Sequence, residues 1–183
     1  MNLDKVQDQI TKVLVTEEQI KAKVAELAAA IDAKYAGKEV MLVGVLKGAV
    51  MFMADLSRAL QIPVTMEWMA LSSYGSGTVS SGVVRILKDL DTEVHGKHIV
   101  IVEDIIDSGL TLSWLAANLE ARGAASVEVC ALLRKPAAAK VEVAVTLVGF
   151  DIPNEFVVGY GLDYNEQYRT LTSVAVLSPA VYQ

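Results

Sequence analysis

Residues 98–111 read HIVIVEDIIDSGLT. His98 to Val102 are β-prone and mostly apolar, without polar alternation, which is the pattern of a strand buried on both faces of a parallel sheet. Glu103, Asp104 and Asp107 follow. A run of acids has no place inside a sheet, so the chain is expected to leave it at Glu103 and enter a loop at the strand's carboxyl end. Ligands of open α/β sheets bind at that edge. Ser108, Gly109 and Thr111 make a small turn that opens a helix and offers free backbone N–H groups to a phosphate. Acids beside a phosphate cradle repel the ligand unless cations or sugar hydroxyls intervene, so the stretch asks for a phosphorylated sugar with magnesium. The same residues also read as a solvated turn that caps a helix. Three acids in this spacing, ahead of Ser-Gly-x-Thr, argue against that.

Working outward, the chain alternates strand and helix. Thr16-Glu17-Glu18-Gln19 has capping-box spacing, and Ile20, Val24, Leu27 and Ile31 repeat at helical period up to Gly37. Val40–Val45 is an apolar strand that runs into the basic turn Leu46-Lys47-Gly48, with a helix over Ala49–Leu60. Val64–Leu71 is extended. The stretch SSYGSGTVSSG, 72–82, holds Ser, Gly and Thr around one Tyr and cannot bury enough surface to order itself. Composition alone favours a mobile surface connection, and a tyrosine among small residues next to a candidate site also suits a lid. Val83–Leu87 pairs back on Val64–Leu71 as a hairpin. Leu112–Arg122 is a helix stopped by Gly123, Val127–Leu133 a buried strand, and Val143–Val148 and Phe156–Tyr160 extend the sheet. This order predicts a mainly parallel α/β sheet flanked by helices.

Whole-chain numbers narrow the class. The chain has 183 residues, enough for one domain with a full core, and 53% are apolar. No stretch approaches the ~18 apolar residues of a membrane span, and MNLDKVQDQI is no signal peptide. The apolar surplus points to a subunit interface. The lone Cys130 sits in an apolar run and reads as a core residue in a reducing cytoplasm. His95 and His98 have no metal-ligand spacing and read as structural. A formal net charge of −6 argues against non-specific nucleic-acid binding, though not against a small polyanion.

Four strand ends carry polar residues: Lys47 with Gly48, Glu103 to Thr111, Lys135, and Asp163 with Arg169. Singly, the lysines read as solvated, Asp163 as a turn residue and Arg169 as a surface charge. Parallel strands place all four ends on one edge, where they can converge. IVIVEDIIDSGLT at 99–111 resembles the signature of the type I phosphoribosyltransferases, which bind 5-phosphoribosyl-1-pyrophosphate (PRPP). LVGVLKG at 42–48, SSYG at 72–75, RILKDL at 85–90 and NEFVVGYGLDYNEQYR at 154–169 extend the resemblance over essentially the whole chain. They resemble the hypoxanthine (hypoxanthine–guanine) branch of that family.

The resemblance implies a type I phosphoribosyltransferase fold in a single domain over 1–183. Its core would cover about 38–150, a small hood would come from the N-terminal segment and about 151–183, and 72–82 would be the lid hairpin. It implies a magnesium-dependent transfer from PRPP to a 6-oxopurine in a cytoplasmic homodimer or homotetramer, with no nucleic acid or membrane as partner. Glu103 and Asp104 would hold the ribose hydroxyls and magnesium, and Asp107, Ser108, Gly109, Leu110 and Thr111 would wrap the 5′-phosphate. Asp107 would also take the purine N7 proton, its carboxyl shifted toward neutrality by Ile105 and Ile106. Lys135 would contact O6 of the base, Phe156 would stack on it, and the Val157 backbone would read its edge. Asp163 would hold a second magnesium beside the purine. Arg169, Lys47 and Gly48 would meet pyrophosphate, often across a cis Leu46–Lys47 bond. Ser73 and Tyr74 match lid residues.

The chain departs from the family in its weakly basic lid, in Arg134 before Lys135, and in RTLTSVAVLSPAVYQ, which lacks the usual proline and aromatic after the arginine. Two other readings are a guanine- or xanthine-preferring transferase and, for an acidic chain less aptly, a PRPP-responsive regulator that binds nucleic acid. A Rossmann dinucleotide binder fails because no G-x-G-x-x-G follows a strand.

Overall fold

The buried strands divide their side chains between two helical layers in the computed structural model, which describes residues 3–73, 84–141, 143, 145 and 147–182. The elements are β1 (Ile10–Val15), α1 (Glu17–Tyr35), β2 (Val40–Leu46), α2 (Val50–Ala59), β3 (Val64–Ser73), β4 (Val84–Lys88) and β5 (His98–Ile106). Then come α3 (Leu110–Ala121), β6 (Ser126–Arg134), β7 (Leu147–Asp151), β8 (Val157–Val158), β9 (Val174–Leu177) and α4 (Pro179–Tyr182). Strand period two sends Val40, Leu42, Val100, Val102 and Cys130 into one core with α1 and α2. Met41, Val43, Ile99, Ile101 and Val129 face the other way, onto Leu112, Leu115 and Leu119 of α3. Continuous apolar runs are what a sheet covered on both sides requires.

Six strands lie in the order β4-β3-β2-β5-β6-β7. β2, β3, β5, β6 and β7 are parallel, and β4 runs antiparallel to β3 with Ser73 opposite Val84. This is the expected mixed α/β sheet with its hairpin. The tip, including Tyr74 and most of the expected lid, lies outside the described residues. α1 starts on the predicted capping box: the Thr16 hydroxyl accepts from the Gln19 amide at 3.3 Å, and the Gln19 side chain accepts from the Thr16 amide at 2.8 Å. Such a cap contributes about 1 kcal/mol.

Beyond shifts of one or two residues at element ends, three assignments differ from expectation. β5 does not end at Val102 but runs through Glu103 and Asp104 to Ile106. β7 begins at Leu147 rather than Val143, and Val143 and Val145 pack instead on the α3 side of the core. The Phe156–Tyr160 stretch does not extend the main sheet. Only Val157–Val158 is strand, in a separate antiparallel sheet ordered β1-β9-β8. Its inner residues Val15, Val157, Val174 and Val176 share the core of α1 and α2. β1 and β9 had no reading from sequence. Ile10 pairs with Leu177 and Val15 with Val174, partners too far apart in the chain to advertise each other, and β1 interrupts its apolar pattern with Thr11 and Lys12.

Both histidines sit at the opposite end of β5 from the acids. His98 Nδ1 lies 2.7 Å from the Ser126 hydroxyl, and its ring packs on Tyr35. Among the described residues no helix is long and apolar enough to cross a membrane. Cys130 is fully buried, and burial, with Glu128 adding its charge, pushes its thiol up to about 12. The folded chain is therefore expected to give no reaction with a disulfide reagent at about pH 8, and one thiol equivalent once denatured.

Candidate active site

The site opens where the sheet changes direction. From β2 the chain passes through α2 to β3 on one side, whereas β5 lies on the other side of β2, so the gap between β2 and β5 is a topological switch point. Pairing of β2 with β5 stops at Gly44 and Val102. β2 stays paired with β3 to Leu46–Ala70, and β5 stays paired with β6 to Ile106–Arg134. The two strand ends thus part over their last residues. This explains why the acids remain in the strand: Glu103 and Asp104 keep β6 on one side while the other side opens on a crevice.

Two adjoining cavities occupy that edge. The larger, about 320 Å³, is lined by Lys47, Gly48, Asp104, Asp107, Lys135, Phe156, Val157, Asp163 and Arg169, with Ile105 and Leu162. The smaller, about 110 Å³, is lined by Glu103, Asp107, Ser108, Gly109 and Thr111, with Ile105, Ile106 and Leu112. Asp107 and Ile105 border both. Leu110 opens α3 directly behind the small cavity. Ser73 ends β3, and Tyr74 falls outside the described residues. Apart from Ser73, Tyr74 and Leu110, every expected site residue lines one of the two cavities.

The small cavity is a helix N-terminus. Gly109 caps α3 at φ +79, a left-handed conformation natural to glycine, and its carbonyl accepts the Ser113 amide at 2.9 Å. The amides of Thr111 and Leu112 belong to the first turn and have no intrahelical acceptor. The Leu110 amide donates to the Ser108 hydroxyl at 3.4 Å. The apolar setting expected around Asp107 is supplied on one side only. Ile105 borders the cavity, whereas Ile106 is buried against α3 and Asp107 itself is exposed.

Glu103 and Asp104 carry the strained electrostatics. Burial, and then the neighbouring Asp104 charge, raises the Glu103 carboxyl well above its ordinary range. Its Oε2 is buried without a hydrogen-bond partner. Burial pushes Asp104 up to about 6, against a 2.7 Å hydrogen bond donated by the Ile105 amide. Asp104 is wedged under the turn after β2, and a Cβ on Gly48 would overlap its carboxylate. The Leu46–Lys47 peptide bond in that turn is cis.

On the facing wall, Arg169 donates to the Gly161 carbonyl at 2.7 Å and pairs with Asp163 at 2.9 Å. Asp163 Oδ2 also accepts the Glu166 amide at 2.9 Å, so both Asp163 oxygens are engaged within the chain. Glu166 pairs with Lys47 at 3.0 Å and with Arg169 at 3.3 Å. Gly161, at φ +103, lies so close to the Gly48 carbonyl that a Cβ would collide with it. Lys135 is 9% exposed on the cavity wall, and its amide donates to the Ile106 carbonyl at 2.9 Å. Phe156 is 39% exposed, with Tyr182 behind it at 5.0 Å and Tyr164 at 5.9 Å between centroids. Arg134 points away from the cavity into a two-point pair with Asp151 at 2.7 and 2.9 Å, so this departure from the family pattern is neutralised on the strand edge.

Glu166, Gly161, Tyr164 and Tyr182 also belong to the walls and supports of the site, and nothing in the local sequence marks them as such. Asp163, Glu166 and Arg169 recur at every third position, but on a loop rather than a helix, so that spacing carried no signal. Tyr182 lies in the terminal segment that departs from the family pattern, far beyond the position where the usual aromatic follows the arginine.

A carboxyl whose folded value is raised holds its proton more tightly in the folded chain than in the unfolded one. Its contribution to stability is complete below the ordinary carboxylate range and is lost as pH rises through the folded value. Glu103→Gln is therefore expected to raise the melting temperature of the ligand-free protein by about 2–4 °C at about pH 8, and to leave it unchanged near pH 4, in calorimetry at the two pH values.

Comparison with known proteins agrees with this geometry. Residues 11–165 match the sequence profile of the phosphoribosyl transferase domain. The hypoxanthine-guanine phosphoribosyltransferase of Mycobacterium tuberculosis is 56% identical over 180 residues, 95% of this chain and 89% of the relative. That of Bacillus subtilis is 51% identical over 174 residues, 95% and 97% of the two chains. The crystal structure of a hypoxanthine phosphoribosyltransferase from Staphylococcus aureus superposes with a TM-score of 0.95 at 41% identity, covering 98% of this chain and 97% of that one. The chain belongs to the type I phosphoribosyltransferases, in their hypoxanthine–guanine branch.

Proposed function

We propose that the chain is a purine salvage enzyme that transfers the 5-phosphoribosyl group of PRPP to hypoxanthine, and to guanine, releasing pyrophosphate. The observation that carries this reading is the convergence on one cavity of Lys47, Asp104, Asp107, Lys135, Phe156, Asp163 and Arg169, drawn from the ends of β2, β5 and β6 and from the segments on either side of β8. The α3 N-terminus takes the 5′-phosphate through its free amides. Lys47, Gly48 and Arg169 receive the pyrophosphate. Glu103 and Asp104 hold the ribose, where negative charge stabilises the positive character that grows as the bond to pyrophosphate breaks.

Phe156, backed by Tyr182 and Tyr164, presents a ring face to the base, and the Val157 backbone reads its edge. Lys135 is a donor only, so it donates to the O6 carbonyl of a 6-oxopurine and disfavours the amino group of adenine. Asp107, at the junction of the two cavities, takes the N7 proton as general base and returns it in the reverse direction.

The donor set suits magnesium. Two adjacent half-buried carboxylates, one with an unpartnered oxygen, favour a cation. The described residues gather no cluster of three or more potential ligands, and magnesium commonly takes one or two carboxylates and completes its shell with water and substrate oxygens. Glu103 and Asp104 would hold one ion, and Asp163 a second once it releases Arg169. When bound, the metal neutralises charge on the leaving pyrophosphate.

The β1-β9-β8 sheet serves as the hood over the base, completing one domain with the core. The apolar side chains left in water, Val50 on α2, Met66 on β3 and Leu87 on β4, support a homodimer or homotetramer. The single buried cysteine fits a cytoplasmic enzyme, and small molecules rather than nucleic acid or membrane are its partners.

The test is pyrophosphate release from PRPP with hypoxanthine, guanine, xanthine and adenine in turn, with and without magnesium. Release with hypoxanthine and guanine, dependent on magnesium, is expected. No release with hypoxanthine would refute the assignment, and release without magnesium would remove both metal sites. Asp107→Asn is expected to lower turnover about 10²- to 10⁴-fold, and near-native turnover would exclude it as the base. Lys135→Ala should raise KM for the purine far more than KM for PRPP in steady-state assays.

A further inference from the structure

Glu166 stands between the two cations assigned to pyrophosphate. Its Oε1 lies 3.0 Å from Lys47 Nζ and its Oε2 3.3 Å from Arg169 Nη2, one carboxylate oxygen on each. Lys47 comes from the turn after β2, 119 positions away in sequence. The turn that presents Glu166 is held firmly. Its amide donates to Asp163, Tyr164 and Gln167 bridge each other, and Asn165 and Glu166 have φ of 49 and 61. L residues adopt that left-handed backbone only where the surroundings hold it. Hydrogen bonds from Lys47 and then Arg169 keep the Glu166 carboxyl below the usual range, so it is charged at neutral pH. At 65% exposure the side chain has room to swing out into water.

We propose that Glu166 is a built-in substitute for pyrophosphate, bridging Lys47 and Arg169 in the ligand-free enzyme and competing with the polyanion for both. The inference rests on the pyrophosphate role given to Lys47 and Arg169 above. An oxygen on each of two cations is what a diphosphate would supply, and the two anions repel each other if both are present. Pyrophosphate entry therefore requires Glu166 to leave, and its return helps expel the product. Glu166 acts through Lys47 and Arg169, so it is a positioning residue that sets affinity for PRPP and pyrophosphate.

Titration of the full-length protein with magnesium pyrophosphate tests this. Exposed ion pairs shift equilibria by only a few fold each, so Glu166→Gln should bind pyrophosphate about 3- to 10-fold tighter. KM for PRPP should fall in the same direction, KM for hypoxanthine should stay unchanged, and the gain should shrink at about 0.5 M salt. Glu26→Gln, an equal charge change on the exposed face of α1, should leave pyrophosphate affinity unaltered. Lys47→Met separates the two levels of the argument. If it weakens pyrophosphate while Glu166→Gln leaves binding unchanged or weaker, Glu166 is only a loop tie and the inference falls. If Lys47→Met has no effect either, the pyrophosphate assignment falls as well, and the inference with it.

Discussion

The architecture of the site depends on the parting of β2 and β5. Up to Gly44 and Val102 the two strands are hydrogen-bonded neighbours at the centre of the sheet. Beyond that pair each keeps only its outer partner. Backbone groups in the interior need partners, and β3 and β6 continue to supply them, so both strands can end in an open crevice without losing their ladders. Carboxylates that no sheet interior could accept are tolerated there because one side faces the cavity. The cost of holding them half-buried persists, and it appears as carboxyl groups that retain their protons to higher pH than usual.

Close backbone approach then joins the two halves of the site. Gly48 sits against the Asp104 carboxylate, and Gly161 against the Gly48 carbonyl. Neither contact leaves room for a side chain. These glycines bring the turn after β2, the acids of β5 and the 161–169 loop within reach of one ligand. The same proximity lets Glu166 and Asp163 neutralise Lys47 and Arg169 when no substrate is there to do so. A site built for a polyanion thus keeps acidic partners of its own against Lys47 and Arg169.

Much of this was legible along the chain. The apolar runs at 40–45, 98–102 and 127–133 could belong only to a sheet covered on both faces, and the capping box at Thr16 placed α1. Ser108, Gly109 and Thr111 marked a helix N-terminus because a phosphate cradle needs small residues and free amides in immediate succession. What escaped was the outcome of distant pairing. β1 and β9 find each other across most of the chain, β8 leaves the main sheet to join them, and Val143 and Val145 are drawn into the core beside α3 rather than into a strand. Local pattern measures only what a segment could bury, whereas its partner depends on what the rest of the chain leaves uncovered.

Sequence by itself determined the chemistry available: three acids, a phosphate-binding turn and isolated lysines at the ends of parallel strands, with an aspartate and an arginine in a later loop. It determined that Lys47, the acidic turn and Lys135 share an edge, because β2, β5 and β6 are parallel, whereas the 163–169 loop follows β8 of the second sheet and reaches that edge only through folding. Tertiary structure decided which of them meet and in what state. It kept Glu103 and Asp104 inside the strand, left Asp107 exposed, turned Arg134 away onto Asp151 and placed Glu166 across Lys47 and Arg169. Side-chain types and strand direction are local properties, while charge state and pairing depend on distances between segments that only folding brings together.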